Sequence, residues 1–313
     1  MIPFRSFKTS VDERDSLPFF QKEFVIQTPQ RIIDFLVDSL ALDPLKAGRL
    51  IDKKRVVSEQ GPITSKNQYY QGKVTITLFE AAGDILSPFF EHEDFALFEK
   101  PSGLLIHPKK LDAQSSLLDT LHTLYGEFSN IVHRLDKETS GLVLASRTKE
   151  AERLFKEMFR SQQIKKIYHA LVRGEVTSQL RIDAPLITSD PHSLIRLACR
   201  VDPLGLPSTT LVTPLAYDAE KNQTLVEVHP LTGRQHQIRV HMFHVNHPLI
   251  GDPLYGVEGE FAIAYLEGRV TPQRRYEATG GERLMLHATQ MHFSYKGEDY
   301  HFTSKAPFGV LAP

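Results

Sequence analysis

At 313 residues and 41% hydrophobic composition, the chain is long enough for one large domain and one small one, each with an apolar core. It carries 37 Lys+Arg against 38 Asp+Glu, a net charge of −1, which for the chain as a whole argues against a nucleic-acid partner. No apolar run approaches the roughly 20 residues of a membrane-spanning helix, Met1–Ser16 lacks a signal-peptide core, and the single cysteine, Cys199, excludes an internal disulfide, so a cytoplasmic protein without a membrane partner is expected.

Residues 1–28 show little periodicity and read as an N-terminal arm. Helical spacing begins at Ile32, Ile33, Phe35, Leu36, Val37 and Leu40, with Arg31 and Asp34 on the other side. A second helix is expected from Pro44, a favourable first-turn residue, to Lys53. Strands follow at Arg55–Val57 and Lys73–Phe79, the latter alternating and rich in β-branched residues. These elements define a small domain over 29–80, and Gly83 and Pro88 mark a linker over 81–88.

The remainder, 89–313, reads as one larger domain. Phe95–Lys100 is a strand stopped by Pro101. Ser115–Leu124 is helical, with Leu117, Leu118, Leu121 and Leu124 on one face. Gly141–Ser146 is a buried strand, and Thr148 caps a helix whose apolar positions are Ala151, Leu154, Phe155, Met158 and Phe159. Strands are expected over Ile164–Arg173 and Thr224–His229. A helix from about Arg234 to Val245 ends at Asn246, which tolerates a left-handed conformation, ahead of Pro248. Strands interleaved irregularly with helices predict an α+β fold on a mixed, largely antiparallel sheet flanked by helices.

The charge is uneven along this region. Residues 131–175 hold 10 Lys/Arg and 6 Asp/Glu; residues 221–250 hold 3 Lys/Arg, 1 Asp/Glu and five histidines. If the two stretches meet, they make a positive patch on a neutral protein; if not, they are solvated helix faces.

Four blocks carry candidate chemistry. In His133-Arg134-Leu135-Asp136, followed by Thr139-Ser140-Gly141, an acid bracketed by Arg134 and Lys137 should stay ionised, as suits a nucleophile or a base; taken alone, Asp136 is also an ordinary turn cap. In Lys166-Ile167-Tyr168-His169-Ala170, strand alternation puts Tyr168 and Ala170 on one face, where Tyr168 by itself is equally a core aromatic. Residues His229 to His241 contain Thr232-Gly233-Arg234 ahead of a helix, which reads as a phosphate-binding loop or simply an N-terminal cap. His241, His244 and His247 are three apart, not i, i+4, so no metal site is expected. The fourth block is Leu284-Met285-Leu286-His287-Ala288.

The segment from His133 to Leu142 is similar to the catalytic motif of the RluA-type (large-subunit ribosomal RNA) pseudouridine synthase family, and the other three blocks follow in that family's order. Residues 29–80 resemble the small α-L RNA-binding domain, except that Lys54-Arg55 and Ser58-Glu59-Gln60-Gly61 stand where its pattern has a glycine and an Asn-Gly; Lys46, Arg49, Lys53, Lys54 and Arg55 keep the segment basic. The resemblance implies the synthase fold and a cofactor-free, metal-free isomerisation of uridine by a monomer. It implies that Asp136 attacks the ribose or takes a proton from it, that Tyr168 stacks on the uracil, and that Arg239 holds Asp136 ionised in a two-point pair. Arg134 would fill the gap left by the flipped nucleotide, with His133, Arg234, Lys165, Lys166 and the helix carrying Lys149, Arg153, Lys156 and Arg160 on the RNA. Large-subunit ribosomal RNA is the expected partner. Transfer RNA as substrate, a non-catalytic RNA-binding protein on this scaffold and a metal-dependent hydrolase built on the histidines are the alternatives.

Overall fold

The computed structural model describes residues 19–42, 44–52, 54–79, 85–107, 116–187, 198–306 and 308. Residues 1–18, the first half of the expected linker (81–84), Lys53, and the side chains of Lys46 and Arg49 lie outside the described residues. Among the described residues the chain divides into two compact units, with the boundary between Ile85 and Leu86.

In the first unit, β1 (Phe19–Arg31) leads into α1 (Ile32–Leu40) and α2 (Pro44–Asp52), then β2 (Val56–Ser58), β3 (Gly61–Pro62) and β4 (Tyr69–Phe79). The sheet order is β1-β4-β2-β3. Residues 19–28, expected in an arm, are instead most of β1, which pairs with β4 from Phe19↔Phe79 to Ile26↔Gly72. Their period-2 signal is weak because only Phe24 and Ile26 turn to the core, while Val25 is exposed. The core is built from Ile26, Ile32, Leu36, Ile51, Val74 and Ile76.

The second unit begins with β5 (Pro88–Glu91), β6 (Phe95–Lys100), α3 (Leu117–Tyr125), β7 (Asn130–Ile131), β8 (Ser140–Ser146), α4 (Lys149–Arg160) and β9 (Lys165–Arg173). It continues with β10 (Leu180–Asp183), β11 (Leu186–Ile187), β12 (Arg200–Val201), β13 (Thr209–Asp218) and β14 (Gln223–Pro230). Then come α5 (Gln237–His244), α6 (Gly259–Leu266), α7 (Pro272–Thr279), β15 (Leu286–Tyr295) and β16 (Glu298–Thr303). Ten strands form one sheet ordered β10-β13-β14-β9-β15-β8-β6-β5, with β16 added to β15 and β7 to β8. Only the β15–β8 pair is parallel, so the sheet is mixed and largely antiparallel as expected.

Alternation along the strands divides the core. Ala96, Phe98, Val143 and Ala145 pack on one side with α3 and α5; Phe95, Leu97, Leu142 and Leu144 pack on the other with α4. Both faces of β8 are therefore covered and all seven of its residues are buried, which is why it reads as an unbroken apolar run. Thr148 caps α4 by accepting from the Ala151 N–H at 3.1 Å, and Ala151, Phe155 and Met158 face inward. Leu154, expected on that face, is 43% exposed because the i, i+4, i+7 stripe through Ala151 leaves it at the edge.

The β15–β8 contact is a tight joint in the sheet. Gly141 (φ 107°) pairs with Ala288, and a Cβ there would run into the Ala288 backbone. Gly141→Ala is expected to cost at least about 2 kcal/mol, read as a lowered Tm; an unchanged Tm would mean that β15 can move aside freely.

Candidate active site

Asp136 lies on the loop between β7 and β8, and the loop is tied down along its length. Ser102 Oγ donates to the Glu138 carbonyl at 2.7 Å, the Gly103 N–H to the Lys137 carbonyl at 2.9 Å, and the Leu144 N–H to His133 Nε2 at 2.9 Å. Lys100, fully buried at the end of β6, donates from Nζ to the carbonyls of Pro101, Leu104 and Lys137 at 2.8, 3.0 and 2.8 Å. Burial draws Lys100 down to about 7 while Asp136 and Glu138 work the other way. Three carbonyl acceptors match the three N–H groups of an ammonium, and a neutral amine has only two, so the geometry belongs to the charged form. Glu138 is gripped by Arg275 and the Tyr265 hydroxyl, which joins α6 and α7 to the same loop.

The pairing of Asp136 with Arg239, 103 residues on, is present in a form the sequence did not suggest. Arg239 Nη1 donates to Asp136 Oδ2 at 3.1 Å, a single contact. The two-point pair expected with Asp136 is made with Asp252 instead, Nε to Oδ2 at 2.7 Å and Nη2 to Oδ1 at 2.8 Å. The physical reason is burial. Arg239 is 5% exposed, and a desolvated guanidinium needs its N–H groups satisfied by more than one carboxylate. Asp252 is itself set in a tight turn, where Gly251 (φ 76°) lies against the Arg283 carbonyl with no room for a Cβ. The Asp252 side chain also accepts from the N–H groups of Leu254 and Tyr255 at 2.9 and 3.1 Å.

The two basic stretches meet. A cavity of about 860 Å³ is lined by Arg134, Arg160, Lys165, Lys166, Arg234 and Arg239, with Asp136 as its one carboxylate among the described residues and Tyr168 and His133 also in its wall. The Arg134 guanidinium is exposed and makes no hydrogen bond or ion pair among the described residues. Tyr168 is 6% exposed and belongs to the apolar core, and it also lines the cavity. Arg234 is held by its N–H to Gln237 Oε1 at 3.0 Å. The helix expected from Arg234 starts only at Gln237, because the Gln237 side chain occupies the Thr232 hydroxyl and the Arg234 N–H and closes residues 232–236 into a turn. Thr232-Gly233-Arg234 is thus a turn before the helix and not its first turn. His241 is a satisfied core residue, with Nδ1 on Thr210 Oγ1 at 2.8 Å and Nε2 on the Ala184 carbonyl at 2.9 Å.

Electrostatics keep the carboxylate charged. Burial acts to raise the Asp136 pKa, but His236, Arg239 and Arg134 outweigh it and hold the group below the usual carboxylate value. His236 is itself pulled down to about 4, chiefly by burial, so near neutral pH it is uncharged and the arginines do the holding. Tyr168 is pushed up by burial and then by Asp136, so it stays a protonated phenol. Lys166 is lowered to about 8 by burial, a cation that gains from an anion placed beside it.

Four residues of this arrangement were not legible in the sequence: Asp252, His236, Tyr255 and Glu138. His236 Nε2 stands 3.7 Å from Asp136 Oδ2, and its Nδ1 is 2.9 Å from the Tyr255 hydroxyl. The available signal was that a buried arginine in a stretch with a single acid must find a partner beyond it, and Asp252 is the next acid along the chain.

Residues 94–244 match the sequence model of the family described as RNA pseudouridylate synthase. Over 93% of its length the chain is 36% identical to an uncharacterized RNA pseudouridine synthase of Helicobacter pylori, 97% of which it covers. It is 35% identical to the dual-specificity RNA pseudouridine synthase RluA of Vibrio parahaemolyticus, over 65% of this chain and 76% of that one. With the ribosomal large subunit pseudouridine synthase D of Yersinia pestis it shares 34% identity, over 64% and 61% of the two chains. The breadth of the first match, together with the name RluA on a relative at similar identity, shows that the chain belongs to the RluA-type RNA pseudouridine synthase family and is an isomerase acting on RNA.

Proposed function

We propose that the enzyme isomerises uridines of large-subunit ribosomal RNA, with Asp136 as the reacting carboxylate. The observation that carries the assignment of Asp136 is the asymmetry of its oxygens: Oδ2 is held by Arg239, while Oδ1 has no protein partner among the described residues and Asp136 lines a cavity walled by cations. In the reaction the bond from uracil N1 to ribose C1′ breaks, the base turns, and C5 bonds to C1′, losing its hydrogen as N1 gains one. Asp136 either attacks the ribose or takes a proton from it. Tyr168 offers a flat face to the extruded base, Arg134 enters the vacated stack, and Arg234, Lys165 and Lys166, beside His133, receive phosphates. The ribosomal substrate is supported by the naming of the Yersinia pestis relative. Tritium release from RNA labelled at uridine C5 tests the reading. Release from large-subunit ribosomal RNA and none from transfer RNA is expected; release from transfer RNA alone would overturn the substrate, and tight binding without release would overturn the catalysis.

The first unit is proposed to hold RNA. Lys54, where the α-L pattern has glycine, keeps a left-handed backbone (φ 56°), which supports the likeness despite the changed residue. Deleting residues 1–80 is expected to leave the second unit folded, since among the described residues the apolar core of the first contains none beyond Leu78. Binding to folded ribosomal RNA should weaken, with a smaller loss on a short stem-loop. Unchanged activity on ribosomal RNA would assign the unit another role.

A further inference from the structure

We propose that His236 is a positioning residue that presents its Nε2–H to Oδ2 of Asp136, so that Oδ2 is restrained from two sides and Oδ1 is the oxygen that reacts. The inference rests on the reading of Asp136 given above.

The direction of the imidazole proton follows from its neighbours. The Cys199 N–H donates to the Tyr255 hydroxyl oxygen at 2.8 Å, and that oxygen lies 2.9 Å from His236 Nδ1. A backbone N–H can only donate, so the tyrosine oxygen accepts there. Its single O–H has one acceptor among the described residues, His236 Nδ1. If Nδ1 carried the proton instead, the Tyr255 O–H would be left buried without a partner, at a real cost. The relay therefore places the imidazole proton on Nε2, which stands 3.7 Å from Asp136 Oδ2, beyond hydrogen-bond length but close enough for its N–H dipole to act on the carboxylate. Burial keeps His236 neutral near physiological pH, so it contributes a dipole and no charge.

A plain capping role does not account for the residue. His236 is the N-cap of α5, yet its side chain makes no capping bond, and its backbone is left-handed at φ 53°, a conformation uncommon outside glycine that histidine enters more readily than most residues. The charged and titratable groups around it come from every element it meets: Asp136 and Arg134 on the loop, Arg239 on α5, Asp252 and Tyr255 after it, and Cys199 before β12. The competing reading is a structural plug, with the ring packed edge-on against Tyr255 at 5.7 Å.

Three variants separate the readings. His236→Asn accepts the left-handed backbone but is too short to reach Oδ2. His236→Gln keeps an N–H near the position of Nε2. Tyr255→Phe keeps the histidine and removes the hydroxyl that sets its tautomer. Single-turnover rates at saturating enzyme are measured from acid to neutral pH, beside RNA affinity and Tm. The expected result for His236→Asn is a rate loss of about 10- to 100-fold, the equivalent of one hydrogen bond to a charged group. Affinity should hold. The acid limb should move to higher pH, because His236 protonates at about 4 and is a cation where Asp136 titrates, so its loss raises the carboxylate pKa. His236→Gln should recover part of the rate, and Tyr255→Phe should shift the limb in the same direction. If His236→Asn and Tyr255→Phe, folded and binding RNA as wild type, keep the rate within about twofold and the limb in place, the proposal is wrong. A limb unmoved in all three variants with a fall only in Tm would establish the plug instead. Asp136→Asn run alongside distinguishes failure of the parent reading, since it alone tests whether Asp136 reacts at all.

Discussion

Asp136→Asn is expected to lower the single-turnover rate by on the order of 10⁴-fold while RNA affinity stays within about tenfold, roughly 1.4 kcal/mol. The amide is nearly the same size as the carboxylate and can still accept from Arg239, whose two-point pair with Asp252 does not involve residue 136. The fold should therefore survive. What is lost is a base or nucleophile, which an amide cannot replace. A neutral side chain in a cavity lined by cations does not repel phosphate, so a loss of rate without a loss of affinity is the diagnostic pattern. A variant that kept a tenth of the wild-type rate would remove Asp136 from the chemistry.

The second large effect concerns Arg239. Replacing it with Met removes the charge that holds Asp136 ionised and strands Asp252, whose side chain is 0% exposed. Activity near neutral pH should fall about 100-fold or more, and part of it should return as pH rises. The sign is set by linkage: Asp136 is held low in the wild type, losing the cation raises its pKa, and the ionised form is then regained only at higher pH. Stability should fall as well, by about 3 kcal/mol or more, because breaking a buried pair leaves one charge uncompensated. Adding Asp252→Asn to Arg239→Met should return much of the Tm and little of the rate, which separates the structural half of the arginine from the half that serves Asp136. Arg239→Lys should be intermediate, since one ammonium cannot reproduce a planar two-point pair and a third contact at once. A wild-type rate and pH profile in Arg239→Met would sink the pairing.

Local elements were readable where one physical signal dominates. The Thr148 cap and the stripe through Ala151, Phe155 and Met158 specify α4 without help from the rest of the fold. The covered strand β8 is buried throughout, with an apolar run from Leu142 to Ala145 that reads as such. Helices α6 and α7 were missed: α7 buries only Thr279, and its Pro272-Gln273-Arg274-Arg275 start looks like loop. The same lack of contrast hid β1, whose exposed face carries Val25 as readily as a polar residue. For the site, the resemblance supplied Asp136, Tyr168 and Arg239, and composition supplied two basic stretches that do converge. Asp252 stayed hidden because an acid after glycine that accepts from the next N–H groups has the signature of a turn, and it is one; its second role needs the fold to bring Arg239 alongside. His236 stayed hidden among five histidines of one stretch, where metal binding was the question that spacing could address and hydrogen-bond direction was not.

The placement of β15 sets the order in which this unit can be assembled. It lies between β9 and β8, so without it the sheet is two separate halves, β10-β13-β14-β9 and β8-β6-β5. Each half exposes a long unpaired edge until a strand from near the end of the chain slots between them, a connection of high sequence separation and therefore slow to form. During synthesis those two edges wait while residues 174–285 emerge, and both are templates for wrong pairing. Closure also delivers His287 to Ser140, at 2.8 Å, just after the Asp136 loop. The unit thus acquires its sheet and the His287–Ser140 contact beside the Asp136 loop together, and a partly made enzyme should hold RNA weakly and modify none of it.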